Sequence, residues 1–337
     1  MIRNQRRTFL LALGTALPLV SSTLPTLAFA QGDPEKSIRA VYPVKPIRIL
    51  AGYSAGTGTD LLARLVAQKL SEHLGQPVVV ENRVGAQGTI ATELVAKSTA
   101  DGYTLQLLSA TVTILPAMRK VRYDIQRDFA PVSLVAYGPF ALVVHASVPA
   151  RNVKELIALA RSQPGKLHYG SAGVGSSSHL AGELFKLLAK VSIVQVPYKG
   201  ATEQAVATAA NEIEMSFPSI PAALPLMEAG KVRALGVTSA KRVSVMASIP
   251  TLDESGLRGY DRSVWYGVVA PAGVPKDIIA RVRGVIDKAV NTADVKESLN
   301  KQGLEPQTSA PEEFATRIRT DLAQNAQLIR SAGVKVE

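Results

Sequence analysis

The feature that most constrains the fold is a repeated alternation of short apolar runs with amphipathic stretches. Ile47–Ala51 and Pro77–Glu81 are apolar runs of strand length. Each is followed by a loop of small residues and then by a helical pattern, at Asp60–Leu74 and Thr89–Ser98. Because strands that alternate with crossover helices pair in parallel, this region predicts an α/β fold.

A second block of the same kind follows the apolar stretch Val132–His145, which Gly138-Pro139 interrupts. Its strand and helix patterns lie at Val153–Arg161, Leu167–Gly170, Ser177–Lys190, Ser192–Tyr198, Thr202–Ala210, Ile213–Phe217, Ala222–Ala229 and Val232–Thr238. Ser263–Ala270 is again apolar, and helical patterns at Val274–Val290 and Pro311–Ala332 close the chain. The apolar stretches that flank this block predict two crossings between two lobes.

We therefore expect two α/β lobes, the first of them discontinuous in sequence. Lobe 1 would comprise residues 43–138 plus 265–337, and lobe 2 residues 139–264. Ligands of such proteins bind between lobes, outside the carboxyl ends of the strands.

The N-terminus predicts an export signal. Three arginines among the first seven residues precede the apolar run Thr8–Val20, and Ala28 and Ala30 supply the small residues of a cleavage site. We expect residues 1–30 to be a signal peptide cleaved after Ala30, and the mature protein to be periplasmic. The pair Arg6-Arg7 fits a twin-arginine signal as well as a general secretory one, and an uncleaved anchor helix is the third alternative.

The composition excludes several chemistries. The chain has no Cys, which excludes disulfides, Cys zinc sites, iron–sulfur clusters and a Cys nucleophile. The net charge is +11, and beyond residue 7 the basic residues are scattered among acidic ones without a dense basic run, so we expect no nucleic-acid partner. The four histidines lack metal-ligand spacing, and no complete nucleotide-binding motif is present. The four histidines are His73, His145, His168 and His179. We expect neither a metal nor a cofactor.

Four loops share one chemistry: each is rich in Gly or hydroxyl residues, follows a strand and opens a helix. Loops 1 to 4 are Gly52–Asp60, Arg83–Thr89, Ser171–His179 and Pro197–Thr202. Free N–H groups at a helix N-terminus suit an anion, and hydroxyls add hydrogen bonds, so together the loops predict a carboxylate site. A structural role is the alternative for individual residues. Thr57 with Asp60 fits a helix-capping pair, Ser176 or Ser177 fits the cap of the next helix, and Lys199 fits a solvated surface charge.

One catalytic alternative stays open. Ser177 lies two residues before His179, which suggests a Ser/His hydrolase, although the Gly-x-Ser-x-Gly motif is absent.

Several longer stretches resemble one family. They include GTGTDLLARLVAQKL (Gly56–Leu70), LGQPVVVENRVGAQG (Leu74–Gly88), PGKLHYGSAGVGSSSHLAGELFK (Pro164–Lys186), VPYKGATEQ (Val196–Gln204) and VWYGVVAPAGVPKDI (Val264–Ile278). The chain resembles the solute receptors of tripartite tricarboxylate transporters, the Bug-type periplasmic binding proteins. The resemblance implies a type II periplasmic-binding fold that closes on a ligand, commonly an organic acid. We expect a monomer without catalysis of its own that binds a small carboxylate, a di- or tricarboxylate or an aromatic acid. The implied partner is a membrane permease or, alternatively, a sensor protein.

In that family, loop amides, hydroxyls and waters hold the carboxylate. The matching positions here are Tyr53, Ser54, Gly56, Thr57, Asp60, Gly85, Gln87, Gly88, Ser171, Ala172, Ser176, Ser177, Ser178 and His179, with Tyr198, Lys199 and Gly200 as additions. The chain departs from the family pattern at Ala51–Gly58, Thr89 and Phe217–Ser219. Where the family commonly has an Asp this chain has Pro218, whose side chain cannot accept a ligand ammonium group, so we expect carboxylates without an amino group.

Overall fold

A computed structural model describes residues 42–334. The expected signal peptide, residues 1–30, and its cleavage site lie outside this range. Within it, no helix combines the length and apolar character that crossing a membrane requires.

Eleven strands and ten helices make up the described fold. The strands are β1 (Ile47–Ala51), β2 (Val78–Asn82), β3 (Thr104–Ser109), β4 (Phe129–Pro139), β5 (Ala141–His145), β6 (His168–Ser171), β7 (Val194–Pro197), β8 (Met215–Ser216), β9 (Val232–Val237), β10 (Ser263–Pro271) and β11 (Glu305–Pro306). The helices are α1 (Gly58–Leu74), α2 (Thr89–Ala96), α3 (Leu115–Met118), α4 (Val153–Ser162), α5 (Ser177–Ala189), α6 (Ala201–Ala209), α7 (Ile220–Glu228), α8 (Lys276–Val290), α9 (Ala293–Lys301) and α10 (Pro311–Ser331).

The strands form two sheets, which confirms the expected α/β fold. The first sheet has six strands in the order β11-β4-β10-β3-β1-β2, and the second has five in the order β7-β6-β8-β5-β9. In the first sheet β1 is parallel to β2 and β3, whereas β10 is antiparallel to β3 and β4. The chain passes between the sheets after β4 and returns before β10. The residues at which one lobe gives way to the other stay a prediction.

Each sheet has its own hydrophobic core. Ile49, Leu62, Leu105, Val268 and Ile286 belong to a cluster that packs α1 and α8 on the first sheet. On the second sheet the corresponding cluster is built around large side chains, listed here: Leu142, Tyr169, Phe185, Phe217 and Tyr260. A smaller cluster joins the segment before α3 to α5 and α10 through Ile114, Leu180, Leu328 and Ile329.

Most predicted elements are confirmed to within a few residues at their ends. Three helix starts differ from the prediction by two residues: α1 begins at Gly58 rather than Asp60 because Thr57 caps it, α7 at Ile220 rather than Ala222, and α8 at Lys276 rather than Val274. Helices α3 and α9 and strand β11 were not predicted.

Candidate functional site

Loops 1 and 2 meet at the carboxyl ends of β1 and β2. A Cβ on Gly52 would lie only 2.6 Å from the Cα of Gly88, so the two backbones approach as closely as two glycines allow. The Tyr53 hydroxyl donates a hydrogen bond to the carbonyl of Gln87 at 3.1 Å. The structure therefore brings the first two predicted loops together at one edge of the first sheet.

Asp60 anchors loop 1. Its carboxylate accepts hydrogen bonds from the Gly56 amide at 2.9 Å, from the Asn82 amide group at 2.9 Å and from Arg64 Nε at 3.0 Å. The Thr57 hydroxyl accepts from the Asp60 backbone amide at 3.4 Å and thereby caps α1. Burial acts to raise the Asp60 pKa, but the bonds from Arg64, Gly56 and Asn82 outweigh it and hold the pKa below its usual value. The Asp60 carboxylate thus stabilises loop 1 through hydrogen bonds within the protein.

The backbone of loop 2 adopts a conformation that residues with side chains rarely take. Ala86, Gln87 and Gly88 have consecutive positive φ values of 47°, 55° and 89°. Arg119 and the Thr89 hydroxyl both donate to the carbonyl of Ala86, at 2.8 and 2.7 Å, and hold it in place. Left-handed non-glycine residues cost free energy and cluster at ligand-binding sites, which supports a functional role for this loop.

A small cavity lies beside loops 1 and 2 at the end of β3. Its volume is about 10 Å³, the space of about one water molecule. Besides Tyr53, Gln87 and Gly88, its lining includes Gln106, Ser109 and Tyr123. The Gln106 Oε1 atom is buried and has no hydrogen-bond partner in the described part of the chain. These three side chains were not predicted from the sequence, although Gln106 and Ser109 lie on β3, a strand parallel to β1 whose carboxyl end lies beside that of β1.

Loops 3 and 4 also meet, at the carboxyl ends of β6 and β7. The Tyr198 amide donates to the Ser171 carbonyl at 2.8 Å. Ser178 and Ser176 serve the fold of loop 3: Ser178 Oγ accepts from the Ala172 amide at 2.9 Å, and Ser176 Oγ caps α5 by accepting from the His179 amide at 3.1 Å. The expectation that Ser176 caps a helix is confirmed.

The imidazole of His179 is buried and has two internal neighbours. Its Nδ1 accepts a hydrogen bond from the Gly175 amide at 3.1 Å, which leaves the proton of the neutral ring on Nε2, 3.7 Å from Glu183 Oε1. Tyr169 and Lys186 also donate to that carboxylate, at 2.6 and 2.9 Å. Burial lowers the His179 pKa, although Glu183 acts in the opposite direction. Neither ring nitrogen is available to activate Ser177, so the geometry does not support a Ser/His hydrolase.

Five predicted side chains have no hydrogen-bond partner within residues 42–334. They are the hydroxyls of Ser54, Ser177 and Tyr198, the Gln87 amide group and the Lys199 ammonium group. The backbone amide of Lys199 donates to Glu203 at 2.9 Å, which fixes the start of α6. Gly200 is the extended N-cap residue of that helix. In the described residues these five side chains are free to bind a ligand.

Loop 3 approaches α3, the short helix that follows β3 of the first sheet. A Cβ on Gly175 of loop 3 would lie 3.1 Å from the terminal methyl group of Met118 in α3. Among the described residues, no hydrogen bond joins loops 1 and 2 to loops 3 and 4. A ligand site shared by all four loops therefore stays a prediction.

Larger cavities lie elsewhere, along α10. One of about 580 Å³ is lined by residues that include Tyr137, Lys241, Ser263, Trp265 and Arg317, and one of about 470 Å³ shares Asp261 and Arg317 with it. No residue predicted for the ligand site lines either cavity.

Consecutive residues of β10 point to opposite faces of the first sheet, as strand geometry requires. Trp265 is buried, donates to Asp321 of α10 at 2.6 Å and packs edge-on against Phe314. Tyr266 faces the other way, and its hydroxyl oxygen lies 3.1 Å from the position that a Cβ on Gly58 would take, beside loop 1.

Comparison with known proteins places the chain in a family. The family model described as "Tripartite tricarboxylate transporter family receptor" matches residues 62–334. Protein BugT of Bordetella pertussis is 33% identical over 299 residues, 88% of this chain and 92% of BugT.

Two solved structures with bound ligands are similar. Rpa4515 of R. palustris with adipate has a TM-score of 0.75 at 34% identity, covering 88% of this chain and 100% of that one. MatC from Rhodopseudomonas palustris with bound malate has a TM-score of 0.69 at 29% identity, covering 86% of this chain and 100% of that one. The chain belongs to the Bug-type receptors of the tripartite tricarboxylate transporter family.

Proposed function

We propose that this protein is a periplasmic receptor that captures a small carboxylate between loops 1 and 2 on one side and loops 3 and 4 on the other. The observation that supports the proposal is that these loops carry hydrogen-bond donors without a protein partner but no free carboxylate. Ser54, Ser177 and Lys199 retain free donors within the described residues, whereas Asp60 is bonded internally. A site with donors and no free carboxylate favours an anionic ligand.

We infer the ligand class from the free donors of these loops and from the ligands bound in two similar structures. Adipate and malate, the ligands of two similar structures, are dicarboxylates without an amino group. A buried ammonium group is best paired with a carboxylate, and neither Asp60 nor Pro218 offers a free one. We expect a di- or tricarboxylate or an aromatic acid to bind more tightly than aspartate or glutamate.

Closure of the two lobes on the ligand would create the form that a membrane permease recognises, because ligand binding stabilises whichever conformation makes more contacts with it. The receptor itself would carry out no chemistry.

Calorimetry with matched pairs tests the ligand class: succinate against aspartate, and glutarate against glutamate. We expect the amino-free acid of each pair to bind about tenfold or more tightly, the equivalent of one lost hydrogen bond to a charged group. A thermal-shift screen of mono-, di- and tricarboxylates and aromatic acids identifies the best ligand beforehand. Tighter binding of both amino acids would refute the proposed ligand class, and the absence of binding by any carboxylate would refute the receptor proposal.

A further inference from the structure

Most hydroxyl and guanidinium donors at the open edge of the first sheet are already engaged. Tyr53 donates to the Gln87 carbonyl, Thr57 to the Ser54 carbonyl at 2.8 Å and Tyr123 to the Val112 carbonyl at 3.2 Å. Arg119 donates to the Ala86 carbonyl. On loops 1 and 2, a ligand therefore meets few free side-chain donors, namely the exposed Ser54 hydroxyl and the exposed Gln87 amide group.

Tyr266 supplies a donor that is not engaged. Its ring packs against the first hydrophobic core, and its hydroxyl reaches Gly58, the first residue of α1. The hydroxyl has no hydrogen-bond partner within residues 42–334. Burial and the nearby Tyr53 raise the Tyr266 pKa to about 12, so the phenol keeps its proton at neutral pH.

The position of Tyr266 in the sheet directs this hydroxyl toward the predicted site. Tyr266 is paired with Ser109, the last residue of β3, which lines the small cavity shared with loops 1 and 2. Gly58 has no side chain, and any larger residue there would contact the phenol oxygen. The hydroxyl thus lies at the carboxyl edge of the sheet, where the ligand is expected.

From this geometry we infer that the Tyr266 hydroxyl donates a hydrogen bond to a carboxylate oxygen of the ligand. Tyr266 is then a specificity-determining residue of the proposed site, and the inference rests on the proposed function. Because a neutral phenol that keeps its proton donates its bond most strongly to a charged oxygen, this contact favours an ionised carboxylate over an ester or an amide.

The test compares Tyr266→Phe with the wild type by calorimetry, with the tightest binder among succinate, glutarate, adipate and malate as the probe. Loss of one hydrogen bond to a charged group predicts a Kd about 10-fold to 100-fold higher. Tyr137→Phe is the matched control: Tyr137 is a half-buried tyrosine on the neighbouring strand β4 that lines the 580 Å³ cavity. Its Kd should be unchanged.

A second measurement separates contact from structure. The ratio of the Tyr266→Phe Kd to the wild-type Kd should shrink when the dimethyl ester, which has no ionised carboxylate, replaces the acid. A general disturbance of the site would change both affinities equally. Gly58→Ala, which adds a methyl group 3.1 Å from the phenol oxygen, provides an independent variant that should also weaken binding.

The outcomes distinguish this inference from the proposed function. Equal Kd values for wild type and Tyr266→Phe, or equal losses for acid and ester, would overturn the role of Tyr266 and leave the receptor proposal intact. Failure of the wild type to bind any of the four acids would count against the receptor proposal itself, and the inference about Tyr266 would fall with it.

Discussion

Replacement of Asp60 by Asn tests whether this carboxylate fastens loop 1 or contacts the ligand. The side chain is 2% exposed and accepts hydrogen bonds at both of its oxygens, from Gly56 and Arg64 on one and from Asn82 and Arg64 on the other. An Asn has one acceptor oxygen, so its NH₂ group must face donors on the other side. At least one partly buried donor then loses its partner.

The magnitude follows from these contacts. A hydrogen bond to a charged group contributes about 1.5–3 kcal/mol, and the bond from Gly56 or Asn82 falls in this class. The ion pair with Arg64 adds less than about 1 kcal/mol, because the Arg64 side chain is 54% exposed and can be solvated by water. We expect Asp60→Asn to lower the free energy of unfolding by about 2–4 kcal/mol at pH 7.

Urea unfolding of the ligand-free protein measures this change, with Arg64→Met as the matched control, for which we expect a loss below about 1 kcal/mol. The folded-state pKa of Asp60 lies below its usual 3.8, so its contribution is present above that value and is lost as the pH falls through the folded-state pKa. The difference between wild type and Asp60→Asn should therefore shrink in acid. An unchanged free energy of unfolding together with weaker ligand binding would refute this interpretation and make Asp60 a ligand contact.

Three further predictions concern the approach of loops 1 and 2, the buried His179 imidazole and the proposed closure of the two lobes. Gly52→Ala places a methyl group 2.6 Å from the Gly88 Cα and should lower the free energy of unfolding by about 1–3 kcal/mol, measured with urea. Gly284→Ala, in an open helical position, is the control and should raise the free energy of unfolding by up to about 1 kcal/mol. Similar values for the two variants would contradict the close approach of loops 1 and 2. His179 has a folded-state pKa below its usual 6.5, so the unfolded chain takes up a proton first and the free energy of unfolding should decline as the pH falls below about 6.5. His179→Gln should lack that part of the pH dependence. Parallel plots of unfolding free energy against pH for the variant and the wild type would contradict a neutral imidazole. Saturation with the best carboxylate should reduce the radius of gyration in X-ray scattering, and superimposable profiles would contradict closure.

The sequence predicted the architecture well because its signals are local. Strand–helix alternation and hydrophobic periodicity identified both sheets and most helices. Helix α3 was missed because it has four residues and contains Pro116, and β11 because it is a two-residue strand ending in Pro306. Helix α9 is short and polar, so its periodic signal is weak.

The roles of side chains at the site depended on partners distant in the chain. The fastening of Asp60 needs Asn82, 22 residues away. The apolar run around Tyr266 predicted a core strand, and only the paired strands show that Trp265 faces α10 while Tyr266 faces loop 1.

The position of β10 in the first sheet has a consequence for folding. It lies between β3 and β4, so these two strands do not pair with each other and cannot be joined until residues 263–271 arrive. The five strands of the second sheet are contiguous from Ala141 to Val237. During chain synthesis or transport, the second sheet can therefore complete its pairing first, while β3 and β4 keep open edges, which are sites for mispairing and aggregation. Formation of these distant contacts is the slow, entropically costly stage of folding, so substitutions in β10 should slow refolding more than equally destabilising substitutions in β5 or β9.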